Sequence, residues 1–200
     1  MTDQTATQGS PRRQEIFRIA AEIFYRKGYD ATSTKDIADA AGILKGSLYA
    51  HIASKEDILF AVVEEVHTLF ERNVADVEAA AGEPLSRLRR FVRGHMQVAL
   101  SALKQHQIYS HDWRSLNAER RAVIQRKRDE YQAYLAGLLR TAQRTGEVRA
   151  DIDARLMSIS LLSMLNSVHV WYREGGGASA DEVIDVHCTI VLDGVLTHTN

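Results

Sequence analysis

The chain holds one cysteine, two prolines and no long apolar run. The lone thiol of Cys188 cannot close an internal disulfide, which excludes a disulfide-stapled scaffold and suits a reducing compartment. No stretch approaches the roughly 20 apolar residues that a membrane-spanning helix needs. The opening "MTDQTATQGS" is polar where a secretory leader would be apolar, so a cytoplasmic location with no membrane partner is expected. Charge of either sign is not in excess: 25 basic and 26 acidic residues leave a net charge of −1. Global charge therefore does not attract a polyanion, and any nucleic-acid surface must be local and offset by acid elsewhere. There is no glycine-rich phosphate loop, no nucleophile elbow and no cysteine-rich metal site. An enzyme is not expected, nor a cofactor or a bound metal. Glu64, His67 and Glu71 share one helix face at i, i+3 and i+7, but an exposed Glu/His face is the commoner meaning of that spacing.

What the chain does contain is helical periodicity from end to end. With 45% apolar and 26% charged residues, it reads as an all-α globular protein. Residues 1–10 read as a disordered tail, and Ser10-Pro11 as the start of a first helix that ends near Gly28. Ser33 and Asp36 form a capping-box pattern for a short helix, about 34–41, that buries Ile37, Ala38 and Ala41. Gly42 gives a tight turn. A second short helix is expected over about 45–51, anchored by Leu48 and Ile52. Ser54 caps a long helix reaching about residue 80. Further helices are expected over 84–105, 117–144, 154–173 and 180–197, with a broken aromatic-rich patch over 105–113.

Residues 42–59, "GILKGSLYAHIASKEDIL", pose a question. Lys45, Gly46, Ser47, Tyr49 and His51 crowd one short helix, where stability alone would favour better helix formers. Two short helices joined by a glycine turn make a helix-turn-helix, whose second helix suits the DNA major groove. On that reading Gly46 and Ser47 allow close approach, and Lys45 reaches guanine acceptors or a phosphate. Tyr49 and His51 donate to phosphates. Lys55 and the amides at the start of the next helix hold another phosphate, with Thr34 and Lys35 at the start of the first short helix.

The stretch "ATSTKDIADAAGILKGSLYAHIASKEDIL" resembles the DNA-binding signature of the TetR family of one-component regulators. The resemblance covers about residues 12–60. It departs at Ile52, where the family usually has Phe, and at Ala50, which is small. It implies a DNA-binding domain over 1–55 and a helical effector-binding and dimerisation domain over 56–200. A reader of this kind works as a homodimer on a double-stranded, pseudo-palindromic operator. The 154–173 segment is apolar on nearly every face, and with the last helix it can build half of a four-helix interface. Met157, Leu161, Leu165, Val168 and Val191 are the candidate dimer residues.

Polar or aromatic residues on otherwise apolar faces are the candidate effector contacts: Phe91, His95, Tyr109, Trp113, Tyr134, Asn166 and His169. The run Trp171-Tyr172-Arg173 followed by glycines is similar to the branch of the family that controls fatty-acid and sterol catabolism. That similarity implies an acyl-CoA thioester effector, with Arg126, Arg128 and Arg173 as candidate partners for its anionic end. The alternative is a helical dimer whose helix-turn-helix is structural, acting as a small-molecule binding or interaction module.

Overall fold

A computed structural model of the chain describes residues 11–196; the expected tail and the Ser10 cap lie outside them. Ten α-helices follow in order among the described residues: α1 (Pro11–Lys27), α2 (Thr34–Ala40), α3 (Lys45–Leu48), α4 (Lys55–Ala79), α5 (Pro84–Ser101), α6 (Leu103–His111), α7 (Ala118–Arg144), α8 (Ala154–Asn166), α9 (Val168–Trp171) and α10 (Ala180–Val195). A 3₁₀ turn, Asp112–Ser115, joins α6 to α7.

Local chemistry sets these boundaries. Ser33 accepts from the Asp36 amide while the Asp36 carboxylate accepts from the Ser33 amide, and Ser54 with Asp57 repeats the arrangement at the start of α4. Each box satisfies two amides that the first helical turn leaves free. Hydrogen bonds from Ser33 and from Lys27 hold the Asp36 carboxyl well below the usual carboxylate range. Gly42 turns the chain at φ +63°, a conformation that L side chains rarely adopt.

Three expected boundaries move. The second short helix is a single turn ending at Leu48, after which the amides of Ala50 and His51 bond three residues back, to the Ser47 and Leu48 carbonyls, as a tighter turn. The aromatic patch at 105–113 is helical through His111; the break falls earlier, at Ala102, whose extended φ and ψ of 42° interrupt the helix between α5 and α6. The 154–173 segment breaks at Ser167 into α8 and the short α9.

α1, α2, α3 and the first turns of α4 enclose a small core of Ile16, Phe24, Ile37, Leu48 and Ile52. Ile52 is 4% exposed, so the departure from Phe there is a repacking inside the core. The rest of α4 packs on α5, α6 and α7, with α8 on α7 and α10 on α5.

At the centre of the larger bundle Phe70 stacks on His95 at 4.7 Å between ring centroids and meets the rings of Tyr131 and Tyr109 at 5.2 and 5.5 Å. Three buried histidines surround it. Burial lowers His67 to about 4, His95 to about 3 and His106 to about 4. These rings are neutral in the folded chain at pH 7 and protonate near 6.5 in the unfolded one. The unfolded state therefore binds more protons as pH falls below 6.5, and stability declines from there to about pH 4. Thermal melts between pH 7.5 and 4 are expected to show that loss, and a flat midpoint through this window would contradict the burial of the three rings.

Candidate functional site

The helix-turn-helix presents Lys35, Lys45, Gly46, Ser47 and Tyr49 to solvent, with Thr34, His51 and Lys55 half-buried. Gly46 is the informative position. A Cβ built there would meet nothing within 4 Å, so nothing inside the chain requires glycine. A glycine within a helix is destabilising by roughly 0.5–1 kcal/mol relative to alanine. Glycine there leaves the face of α3 open to close approach by another molecule. Leu44, just before this turn, is 80% exposed, and sequence periodicity did not select it. An outward leucine beside a basic, hydroxyl-rich turn suits apolar contact with a thymine methyl.

Lys55 has partners within the chain. Its ammonium donates to the carbonyls of Tyr29 and Thr32, both at 2.8 Å, and lies 4.0 Å from the Tyr29 ring centroid. It thereby ties the start of α4 to the loop between α1 and α2, and leaves one ammonium hydrogen for the expected phosphate contact. Lys55→Ala would leave the part-buried Thr32 carbonyl without its donor and the Tyr29 carbonyl with the Thr32 amide alone, and is expected to lower stability by about 1–3 kcal/mol. Lys45→Ala is expected to leave stability unchanged, reduce the salt dependence of DNA binding by about one ion and relax base preference. Denaturant melts and DNA titrations across salt concentrations check both. A Lys55 variant that loses salt dependence at full stability would contradict the tie and leave the phosphate role alone.

The second site is a cavity of about 430 Å³ between α4, α5, α6, α7, α8 and α9. Phe70, Ile159 and Leu162 supply apolar wall, and Gln125, Arg128 and Gln132 supply polar wall from α7. Of the seven candidate effector contacts, His95, Tyr109, Asn166 and His169 line it. Three do not. Phe91 lies behind Tyr131, ring to ring at 5.0 Å. Trp113 lies beneath the guanidinium groups of Arg114 and Arg128, at 5.0 and 5.2 Å. Tyr134 accepts from Arg87 at 3.5 Å, away from the cavity.

Sequence reasoning missed Phe70, Tyr131 and His111 as wall residues. The signal for Phe70 was its spacing three residues after His67 on the inner face of α4. Of the three candidate arginines, only Arg128 reaches the cavity, set over the Tyr109 ring at 4.7 Å. Arg173 donates to the Tyr172 and Val170 carbonyls at the end of α9, and Arg126 is exposed elsewhere on α7.

Polar pairs cross the cavity wall. His106 Nε2 and Asn166 Oδ1 are 3.0 Å apart, and His111 Nε2 and His169 Nε2 are 2.9 Å apart, so one proton at most lies between the last two. Glu64 and Glu71 reach Lys127 at 3.3 and 3.7 Å, forming an ion-paired surface beside His67.

Four of the five candidate dimer residues, Met157, Leu165, Val168 and Val191, face the chain's own core, and the fifth, Leu161, is half-buried and packs against it. The outward apolar stripe is Leu156, Ile159, Val170, Trp171, Val186 and Ile190, each more than a third exposed. One residue along a helix turns the side chain by about 100°, so the inward and outward sets are near neighbours in sequence.

The pattern described as "Bacterial regulatory proteins, tetR family" matches residues 16–62 and that described as "Tetracyclin repressor-like, C-terminal domain" matches residues 81–195. The chain belongs to the TetR family. The HTH-type transcriptional repressor KstR2 of Rhodococcus jostii (strain RHA1) is 31% identical over 96% of this chain and 94% of that protein. The structure of the ketosteroid transcriptional regulator KstR2 of Mycobacterium tuberculosis superimposes with a TM-score of 0.89 at 29% identity, covering 96% of this chain and 98% of that one. AibR, in its complex with isovaleryl coenzyme A and operator DNA, superimposes with a TM-score of 0.80 at 28% identity over 90% of this chain and 97% of that one. This TetR-family chain is a ligand-responsive, DNA-binding transcriptional regulator and not an enzyme. Among the described residues no helix is long and apolar enough to cross a membrane.

Proposed function

We propose that the chain is a cytoplasmic repressor that binds a pseudo-palindromic operator as a homodimer and is released by a small hydrophobic or acyl-CoA-type effector. The observation that carries this reading is Gly46: a helix-weakening residue, facing outward, whose missing side chain serves no contact within the chain. Residues 11–55 act as the DNA reader and the remainder as the effector and dimerisation domain. Lys45, Gly46, Ser47 and Tyr49 form the groove-facing set, with Leu44 added and Lys55 acting as a clamp. The outward stripe on α8, α9 and α10 pairs with its copy across a two-fold axis.

Two polar links supply the coupling. Arg120 at the start of α7 pairs with Asp57 and, at 3.6 Å, with Glu56 at the start of α4. Lys104 on α6 pairs with Glu22 on α1 at 2.7 Å. Both α6 and α7 line the cavity. A ligand that binds better to one spacing of these helices biases the angle of the reader through the same links.

Titration of an acyl-CoA thioester such as isovaleryl-CoA into the protein–operator complex, followed by fluorescence anisotropy, tests the release. Dissociation is expected, with a blunted response in Arg120→Ala. A thioester that binds the complex and leaves DNA in place would contradict the effector assignment.

A further inference from the structure

The cavity contains buried polar atoms that make no hydrogen bond of normal geometry within the chain, although the Asn166 side chain lies close enough to the His95 ring to act on its protonation. His95 Nε2 and Ser110 Oγ are buried without a hydrogen-bond partner, and both residues line the cavity. His95 is 1% exposed. A buried polar group left unpaired costs about 1–3 kcal/mol. Such a group inside a ligand cavity is explained if the ligand completes it.

Whether His95 Nε2 donates or accepts follows from its neighbours. The Asn73 side-chain amide donates to the Phe91 carbonyl and to the Tyr131 hydroxyl, each at 3.1 Å. The Tyr131 oxygen is thus an acceptor, and its own proton is directed at His95 Nδ1, 3.2 Å away. Burial keeps the imidazole neutral at pH 7. A neutral imidazole that accepts at Nδ1 carries its proton on Nε2. The unpartnered atom is therefore an N–H donor.

The relay is built into the packing. A Cβ at Gly94 would lie 1.9 Å from Asn73 Oδ1, so only glycine there, in the interior of α5, leaves room for the amide. Phe70 stacks on the His95 ring and fixes its plane.

We propose that His95 Nε2–H recognises a carbonyl-type acceptor oxygen on the apolar, buried end of the effector, with Asn73, Tyr131 and Gly94 as positioning residues that fix its tautomer. The inference rests on the cavity being the effector site. It gives that site a ligand class: a largely apolar body, matched to Phe70, Ile159 and Leu162, with a ketone, ester or amide oxygen at its inner end. Ser110 Oγ offers a second contact to the same or a neighbouring oxygen.

The test uses ring-¹⁵N-labelled histidine in the full-length protein and two probes that differ by one carbonyl, 1-tetralone and tetralin. His95, assigned by its absence in His95→Phe, is expected as the Nε2–H tautomer. Wild type is expected to prefer tetralone about tenfold beyond any preference shown by His95→Phe, which keeps the ring and loses the donor. Tyr131→Phe is expected to shift His95 towards the Nδ1–H tautomer and to weaken tetralone several-fold more than it weakens tetralin. An Nδ1–H tautomer in wild type, or a tetralone preference that survives in His95→Phe, overturns the proposal. Equal binding of both probes by wild type overturns it alone, whereas binding of neither overturns the cavity's effector role as well.

Discussion

Replacing Val186 and Ile190 together by glutamate is expected to yield a folded monomer whose operator affinity is about 10²–10⁴-fold lower. Both side chains are more than half exposed on α10 in the single chain, and they continue the apolar stripe of Leu156, Val170 and Trp171. An exposed glutamate is harmless in a monomer. In a two-fold interface four carboxylates would be buried without partners, and each unpaired buried charge costs several kcal/mol. Loss of the dimer separates the two reading helices and with them the gain from linked binding. Analytical ultracentrifugation and anisotropy check the two consequences. Met157→Ala is the contrasting variant. Met157 is buried within one chain, so its truncation is expected to lower stability by about 2–5 kcal/mol and leave the dimer intact. A Val186/Ile190 double variant that stays dimeric would move the interface elsewhere.

Phe70→Ala is expected to cost about 3–5 kcal/mol, as for a large aromatic removed from a core that cannot collapse around it. For a chain of this size that corresponds to a melting midpoint roughly 6–20 °C lower. The ring is 1% exposed and holds the planes of His95, Tyr109 and Tyr131 around it. Its loss also leaves the three surrounding polar groups free to reorient, so tautomer order at His95 should fall with it. Phe70→Leu keeps most of the volume and is expected to lose less than half as much stability. A drop of only a degree or two for Phe70→Ala, read by differential scanning calorimetry, would mean that the aromatic cluster is not the centre of the larger core.

The reader was legible in the sequence because its signals are local. Ser33 with Asp36, Ser54 with Asp57, and Gly42 between them set helix ends within four residues of themselves. Lys55 shows the limit of that logic. Its partners, the carbonyls of Tyr29 and Thr32, lie 26 and 23 residues away, and no local pattern encodes such a contact. The cavity was legible in kind and not in detail. His95 and Phe91 lie on the same apolar face of α5 and are equally buried, yet only His95 lines the void. Periodicity separates buried from exposed faces, but it does not say which buried atoms border empty space. The outward stripe was missed for a related reason. When a segment is apolar on every side, as 154–173 is, the pattern carries no direction, and the inward Met157 cannot be told from the outward Leu156.

The measurement that tests the account most directly is selection of bound sequences from a random double-stranded DNA library with purified protein at stated salt. The account predicts enrichment of an inverted repeat whose half-sites are spaced by about one or two helical turns, and loss of that base preference in Lys45→Ala. No enrichment by protein shown to be folded and dimeric would contradict it, and would return Gly46 and its neighbours to a role other than reading DNA.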